Sequence, residues 1–399
     1  MSHATATQLT HFAVCVELNN WISMNTNPIK RFTTATLHLG LATLVGWAGS
    51  AIALTPNATA QVDPGTFETF ADWCDHSAAI TPEARHTVNV LLEAAGTEDC
   101  EDANQDLTNR SALSIGAITD VAPIASLSNL TELSLFNGQI TDISPLVGLT
   151  HLERLYLWEN AITDVAPLTQ LPQLTTLSLA NNAITNIEPL ADLPNLIWLN
   201  LDGNRLQDIS PLSHLSHLTH LALENNQIDD IGPLAHLADL EALFLNDNAL
   251  TDVTALASLT TLKNLVLEGN QIADVSPLAG LVQLTSLNLS HNQIQTVVPL
   301  GGLTHLGELA LSGNDIADLT PLAGLTDLVE LYLNDNAIAD ITPLTGLTQL
   351  SWLELADNEI VDAAPLATTL ENLIGLDLRN NPLRETLTCP IDRAPYCQL

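Results

Sequence analysis

Basic residues are scarce in this 399-residue chain, which has 10 lysines and arginines against 46 aspartates and glutamates and a net charge of −36 at neutral pH. A surface this negative repels the phosphate backbone of nucleic acids, so the shortage of bases excludes nucleic acid as a partner. It favours a protein with a basic surface or a bound cation, and it also promotes solubility without any partner. Charge alone does not decide among these three interpretations.

The motifs of an enzyme are also missing. The sequence has no Gly-x-Ser-x-Gly, no phosphate-binding glycine loop and no His-Glu-x-x-His. Residues 107–385 contain no cysteine that could act as a nucleophile, and the carboxylates there recur at regular positions. A catalytic acid needs one singular, partly buried site instead. We therefore predict a non-catalytic protein without a cofactor or a metal centre.

Long apolar runs are limited to one, residues 37–54, and its surroundings are typical of an export signal. Lys30 and Arg31 precede the run, and Ala58-Thr-Ala60 supplies a small-x-small cleavage pattern after it. We expect residues 1–60 to be removed. The first 23 of them could be an over-called gene start, because Met24 lies just upstream of Lys30 and Arg31. The alternative is an uncleaved anchor. The mature chain is expected to be secreted, periplasmic or at the cell surface, with no stable membrane span.

Only five cysteines are present, and their positions agree with export. Cys15 lies in the segment expected to be lost, Cys74 and Cys100 precede residue 107, and Cys389 and Cys397 follow residue 385. A disulfide requires Cα atoms within about 7 Å. Because the two pairs lie at opposite ends of the chain's regular part, we predict the bridges 74–100 and 389–397 and an oxidising compartment. The alternative is four unpaired thiols in a cytosolic protein.

What the sequence has in abundance is a repeat of 22 residues. Each unit reads Leu-x-x-Leu-x-Leu-x-x-Asn, followed by Asp, an aliphatic residue and Pro-Leu. The asparagines keep the constant spacing throughout: Asn160, Asn182, Asn204, Asn226, Asn248, Asn270, Asn292, Asn314, Asn336 and Asn358. A fixed period in the twenties is the signature of a solenoid, in which each unit buries its apolar face against its neighbours.

The unit also predicts its own local structure. Leu-x-Leu alternation indicates a short strand, and stacked units place these strands about 4.8 Å apart in a parallel sheet. The asparagine is expected to bond backbone groups of neighbouring turns, and the aspartate to cap a turn. Proline at this density is incompatible with helices on the outer side. The predicted fold is an α/β-type repeat solenoid, a curved stack with a parallel concave sheet and an extended or 3₁₀ convex side.

The ends of the array are predicted to be capped. Thr81-Pro-Glu83 marks a helix start and Gly96 its end, so residues 61–106 should form a short helical N-terminal cap. Residues 107–385 hold one degenerate unit and twelve full ones, the last delayed by one residue near Thr368, and residues 386–399 close the far end.

The repeat resembles the leucine-rich repeat family, in particular the 22-residue class found in bacterial internalins. The flanking segments, such as Phe70-Ala-Asp-Trp-Cys74 and the two C-terminal cysteines, look like those of secreted cyanobacterial members. The resemblance implies a curved scaffold that binds a protein on its concave sheet. The internalins' cell-wall anchor motif and space for their immunoglobulin-like module are missing, so host-cell invasion is not implied.

Aromatic residues make up only 4% of the chain, and those in the repeats share one feature. All seven occupy unit positions predicted to face outward on the concave sheet, although only five of the 22 positions in a unit do so. Exposed tryptophan and tyrosine dominate interface energies, whereas aromatic preference for strands is the competing explanation. With the adjacent Arg154 and Glu159, they are the predicted protein-binding residues: Phe136, Tyr156, Trp158, Trp198, Phe244, Tyr332 and Trp352.

Two alternatives stay open at the sequence level. The aspartate column, which runs through Asp142, Asp164 and Asp208, could bind Ca²⁺ instead of capping turns. The protein could also be a structural or adhesive component of the cell envelope that contacts glycan or Ca²⁺ through the same surface.

Overall fold

The computed structural model describes residues 66–368, 372–384 and 396–398. Within these residues, three α-helices come first: α1 (Phe70–Asp75), α2 (Pro82–Ala95) and α3 (Cys100–Thr108). Fourteen short strands of the described part of the chain follow and form one parallel sheet whose strand order is the chain order. The fold class predicted from the repeat is therefore confirmed.

The strands and the segments between them alternate regularly. The strands are β1 (Ala112–Gly116), β2 (Glu132–Phe136), β3 (Arg154–Tyr156), β4 (Thr176–Ser178), β5 (Trp198–Asn200), β6 (His220–Ala222), β7 (Ala242–Phe244), β8 (Asn264–Val266), β9 (Ser286–Asn288), β10 (Glu308–Ala310), β11 (Glu330–Tyr332), β12 (Trp352–Glu354), β13 (Gly375–Asp377) and β14 (Tyr396–Gln398). Between β1 and β13 the convex side carries a 3₁₀ segment in each unit: Ala122–Ser126, Ser144–Gly148, Ala166–Gln170, Glu188–Asp192, Ser210–His214, Gly232–His236, Thr254–Ser258, Ser276–Gly280, Val298–Gly302, Thr320–Gly324, Thr342–Gly346 and Ala364–Thr368.

One leucine core runs the length of the solenoid. In the unit that begins at Leu152, the side chains of Leu155, Leu157 and Ile162 are fully buried, and the corresponding residues of the other units continue the same cluster. Equivalent leucines pair across adjacent strands, as Leu155 does with Leu177. The core therefore fixes the register of the sheet and directs the alternate side chains of each strand to its open, concave face.

The repeated asparagine bonds the turns together. The Asn182 amide donates to the carbonyl oxygens of Leu157 at 2.9 Å and Leu179 at 3.0 Å, while its Oδ1 accepts the N–H of Ile162 at 3.0 Å. One side chain thus pairs backbone groups of two units that no strand or helix could satisfy. The role predicted for this residue is confirmed.

The aspartate column caps the convex turns. Asp164 Oδ1 accepts the N–H of Ala166 at 2.9 Å, and the same contact recurs along the column. Asn186 Oδ1 takes the same place with the N–H of Glu188 at 2.9 Å. The carboxylates therefore have a structural role in starting each 3₁₀ segment.

The three helices cover the N-terminal end of the core. Thr81 Oγ1 accepts the N–H of Ala84 at 3.1 Å, and Gly96 ends α2 in the left-handed conformation at φ 73°. Cys74 and Cys100 form a disulfide that joins α1 to α3, with Cα atoms 5.6 Å apart. The predicted start and end of this helix and the first disulfide are thus as expected. The expected signal segment and Cys389 of the second predicted bridge lie outside the described residues.

Candidate functional site: the concave face

The concave face carries three columns of side chains, one residue of each column per unit. The first column begins each strand and includes Glu132, Arg154, Trp198, His220 and Trp352. The second column lies two residues after the first and ends each strand from β3 to β13; it includes Tyr156, Asn200, Phe244, Asn288 and Tyr332. The third column lies two residues further on, and Phe136, Trp158, Asp202, Glu224, Asn246 and Glu268 belong to it.

An aromatic platform, formed by Phe136, Tyr156 and Trp158, lies at the N-terminal part of this face. The rings of Phe136 and Trp158 are stacked, with centroids 4.9 Å apart and planes inclined by 7°. Phe136 in turn lies over Gly116, where an added Cβ would come within 2.9 Å of the ring. Glycine is required there because the ring occupies the space of a side chain. All three aromatic residues of the platform stay partly exposed.

Charged residues flank the platform. Arg154 Nε donates to Glu132 Oε2 at 2.9 Å, which holds the guanidinium beside Tyr156 on the same strand. Glu159 is exposed and adopts the left-handed conformation at φ 55°, immediately after Trp158. The platform is therefore an apolar surface with one fixed cation and one exposed carboxylate at its margin.

Two of the predicted contact residues are not exposed. Phe244 is 1% exposed and packs with Ala222, Ala242 and Val266 in a small apolar cluster separate from the leucine core. Tyr332 is 3% exposed, and its hydroxyl donates to Glu330 Oε2 at 2.5 Å. Both side chains leave the core face as predicted, but neighbouring columns enclose them. The expectation that they present a free surface to a partner is wrong.

Two further tryptophans remain accessible on this face. Trp198 is half-buried in the first column at β5, beside His220 of the next strand. Trp352 lies against Gly375, where no Cβ could be accommodated, and its indole N–H donates to Glu354 Oε1 at 2.9 Å. Trp352 is thus held in one orientation at the C-terminal part of the face, far along the sheet from the platform.

The middle of the third column is acidic and buried, which the sequence did not reveal. Burial raises the pKa of Asp202 to about 7, although hydrogen bonds from the Glu224 N–H and Asn200 oppose the shift. Burial, and then repulsion from Asp202, raise the pKa of Glu224 to about 8. Further along the face, burial followed by repulsion from Glu330 raises the pKa of Glu308 to about 7. The only sequence signal was two acids exactly one unit apart.

The described residues hold neither a cluster of metal ligands nor a helix that could span a membrane. Within residues 66–368, 372–384 and 396–398, no three His, Cys, Asp or Glu side chains are placed to hold one metal ion. None of the helices described there is long and apolar enough to cross a bilayer.

Comparisons with known proteins agree with this geometry. The family model described as "Leucine Rich repeats (2 copies)" matches residues 150–192, 194–236, 239–280 and 308–346, and "Leucine rich repeat" matches residues 260–316. No curated protein matches the sequence at a significant level.

Several solved structures have the same fold. An internalin (inlF) from Listeria monocytogenes is 33% identical, with a TM-score of 0.74 over 80% of this chain and 95% of that one. A leucine-rich-repeat protein of Leptospira interrogans is 26% identical, with a TM-score of 0.68 over 74% of this chain and 84% of that one. A plant peptide hormone receptor, solved in complex with RGF2, is 21% identical, with a TM-score of 0.58 over 69% of this chain and 48% of that one.

Proposed function

Because this chain belongs to the leucine-rich-repeat family as an internalin-like member, we propose that it is a secreted, non-catalytic scaffold that binds another protein on its concave face. Members of this family are generally protein-binding scaffolds, and one similar structure is a receptor in complex with its ligand. The open face of a solenoid sheet offers an extended surface whose side chains vary without disturbing the core. The proposal concerns this surface.

The aromatic platform carries the proposal. Phe136 and Trp158 stack at 4.9 Å, and Gly116 supports Phe136 from the side of β1. Large rings that are already ordered lose little conformational freedom when a partner docks, so more of their contact energy contributes to affinity. Tryptophan, tyrosine and arginine are also the residues enriched at the energetic centres of interfaces.

The charge of the chain supports a basic partner. The excess of acids gives a net charge of −36, and Arg154 is already paired with Glu132. A negative field of this size accelerates the approach of a positively charged protein and weakens as salt is added.

Export is supported by the disulfide and by the expected signal segment. A bridge between Cys74 and Cys100 persists in oxidising compartments and is rare in a reducing cytosol. Residues 30–60 have the order of charged, apolar and small residues of a secretory signal. The proposed location is outside the cytoplasm.

The test is capture of a partner from the surface extract of the source organism by the mature protein. Trp158→Ala should reduce the amount of captured protein about tenfold, as expected for a central aromatic anchor. The matched control is Val298→Ala, which truncates an exposed apolar side chain on the convex side. Equal capture by wild type, Trp158→Ala and the control would contradict the proposal.

A glycan of the cell envelope is the second candidate ligand. The observation in its favour is the pair of stacked, nearly parallel rings, since exposed aromatic faces also suit the apolar faces of sugar rings. Retention of the protein on envelope polysaccharide, lost in Trp158→Ala, would support this candidate over a protein ligand.

A further inference from the structure

The third column of the concave face changes character in the middle of the sheet. Asp202, Glu224 and Asn246 occupy it in three successive units and are 9%, 7% and 9% exposed. Glu268 follows in the next unit and accepts the Asn288 amide at 3.0 Å. We name Asp202, Glu224 and Asn246 the acidic subsite; it lies between the platform and Trp352 along the sheet.

Hydrogen-bond acceptors outnumber donors in the acidic subsite. Asp202 Oδ1 accepts the backbone N–H of Glu224 at 2.8 Å, and the Asn246 side chain hydrogen-bonds the Glu224 carboxylate. Asn246 Oδ1, in contrast, is buried and has no hydrogen-bond partner among the described residues. Leaving a buried acceptor unpaired is unfavourable, so a ligand that supplies a donor to this oxygen gains affinity.

Asn246 differs from the asparagine at the equivalent position of a later unit. Asn334 stands in the same column, and there Oδ1 accepts the N–H of Ala356 at 2.8 Å while the amide donates to Glu354 Oε2 at 2.6 Å. At the positions that correspond to Ala356 and Glu354, Asn246 has Glu268 and Val266, and its Oδ1 is unpaired. An unpaired side-chain oxygen is therefore not a general property of asparagine in this column.

The floor beside the acidic subsite is apolar. Phe244, Ala222 and Val266 occupy the second column alongside it and are themselves buried. An apolar floor removes water from the carboxyl groups and strengthens their interaction with any cation that reaches them. The subsite thus combines negative charge, a missing donor and low polarity in one place.

We propose that the acidic subsite receives one cationic side chain, arginine or lysine, from the partner protein that the concave face binds. This inference rests on the proposed function and specifies its chemistry. A guanidinium carries five N–H donors and no acceptor, which complements two carboxyl groups and an unpaired amide oxygen. A bare divalent cation fits less well, since no three acidic or histidine side chains converge among the described residues.

Proton release should accompany occupation of the subsite. Asp202, Asp247 and Glu268 are the charged groups that act on Glu224, and together with burial they raise its pKa to about 8. At neutral pH the carboxyl therefore holds a proton, which an arriving guanidinium displaces. Affinity should consequently rise as the pH increases from about 6 to about 8.5, in proportion to the ionised fraction.

The probe is a blocked tetra-arginine peptide, with the tetra-citrulline peptide as its uncharged counterpart, measured by isothermal titration calorimetry on the full chain. We expect Asp202→Asn with Glu224→Gln to weaken arginine-peptide binding about tenfold at physiological salt. Two buffers of different ionisation enthalpy should report proton release in wild type and less in this variant. The citrulline peptide should not bind.

The matched control is Asp229→Asn with Asp239→Asn, which removes two carboxyl groups at exposed positions outside the concave face. It should lower affinity less than about twofold, because exposed charges are screened. Equal losses in both double variants would mean that the peptide binds through diffuse charge, and would overturn the proposal. If Ca²⁺ binds wild type tightly, competes with the peptide and requires Asp202 and Glu224, the subsite is a metal site and the proposal is wrong.

Two further variants separate a failure of this proposal from misfolding and from a failure of the proposed function. Asn246→Ala removes the unpaired oxygen with no change of formal charge, together with the bond of its amide to Glu224. It should lower peptide affinity, and its thermal midpoint reports whether the fold is kept. If the double variant does not fold, this variant decides alone, and unchanged affinity overturns the proposal. Trp158→Ala should bind the peptide as wild type does, so failure here is distinguishable from failure of partner capture at the platform.

Discussion

The side chain of Asn204 bonds the carbonyl oxygen of Leu179, which lies 25 residues earlier, at 3.0 Å. It donates at the same time to its own unit at Leu201 O, and its Oδ1 accepts the N–H of Ile184 at 3.0 Å. Each unit is thus fastened to the preceding one by a buried amide as well as by apolar contact. Because the period is constant, the amide of every unit can reach the same backbone groups of the preceding unit.

The first prediction concerns this amide. Asn204→Ala should lower the free energy of unfolding by about 2–4 kcal/mol, because it leaves several buried backbone groups without partners. Urea unfolding of the full chain measures the change. Asn195→Ala is the control, since it removes one exposed bond to Pro172 O and should cost less than about 0.5 kcal/mol. Equal losses in both variants would contradict the role assigned to Asn204.

The second prediction separates two neighbouring residues with opposite roles. Leu157 is fully buried in the core, and Leu157→Ala should cost about 2–5 kcal/mol of stability. Trp158 faces the concave side and stacks on Phe136, so Trp158→Ala should cost about 0.5–1.5 kcal/mol. Thermal unfolding compares them. A tryptophan variant as destabilised as the leucine variant would show that the platform is part of the core.

Much of the fold was predictable because the period repeats the same physical problem in every unit. The inward direction of the leucine side chains, the hydrogen bonds of the asparagines and the capping by the aspartates can all be predicted from one unit, and they recur in the others. Even the irregular last unit follows, because the N–H of Ile360 bonds Asn381 over 21 residues where other units span 20. The same contact is therefore kept although the sequence between its two residues is one residue longer.

The surface was less predictable, since alternation gives a side chain's direction and not its exposure. Phe244 and Tyr332 point away from the leucine core as expected, yet both are buried on a concave face where neighbouring columns converge. The same enclosure raises the pKa values of Asp202 and Glu224, although the sequence does not distinguish these acids from the exposed turn aspartates. The curvature of the sheet and the crowding on its concave face depend on all units together, so they cannot be inferred from the sequence of a single unit.

The third prediction is the pH dependence of stability. The pKa values of Asp202 and Glu224 are raised to about 7 and about 8 in the folded chain, above the ordinary carboxyl value near 4 expected when unfolded. The folded state therefore binds these protons more tightly. The stabilisation that these bound protons give the folded state is complete below about pH 4 and is lost as the pH rises through about 7 to 8. The free energy of unfolding should fall between about pH 5 and pH 8.5.

Other acids do not reverse this trend in that window. Hydrogen bonds from Ser276 lower the pKa of Asp274, and those from Thr320 lower the pKa of Asp318, so their contribution is lost only as the solution becomes more acidic. Urea unfolding across the pH range measures the slope. Asp202→Asn with Glu224→Gln should reduce the slope to the part that Glu308, with its pKa raised to about 7, still contributes, whereas Asp229→Asn with Asp239→Asn should not change it. A wild-type slope of opposite sign would refute the assignment of raised pKa values.

The last prediction concerns the disulfide between Cys74 and Cys100, which closes a loop with a sequence separation of 26 residues. Restricting the unfolded chain through a loop of this size stabilises the folded state by about 3–4 kcal/mol. Cys74→Ser with Cys100→Ser should therefore loosen the helical cap first, because each unit of a solenoid depends mainly on its neighbours. Hydrogen exchange should show protection lost in α1, α3 and β1 while β6 to β9 keep theirs. Uniform loss along all the strands would mean instead that the cap and the repeats unfold as one cooperative unit, and that covering the end of the leucine core controls the stability of the entire array.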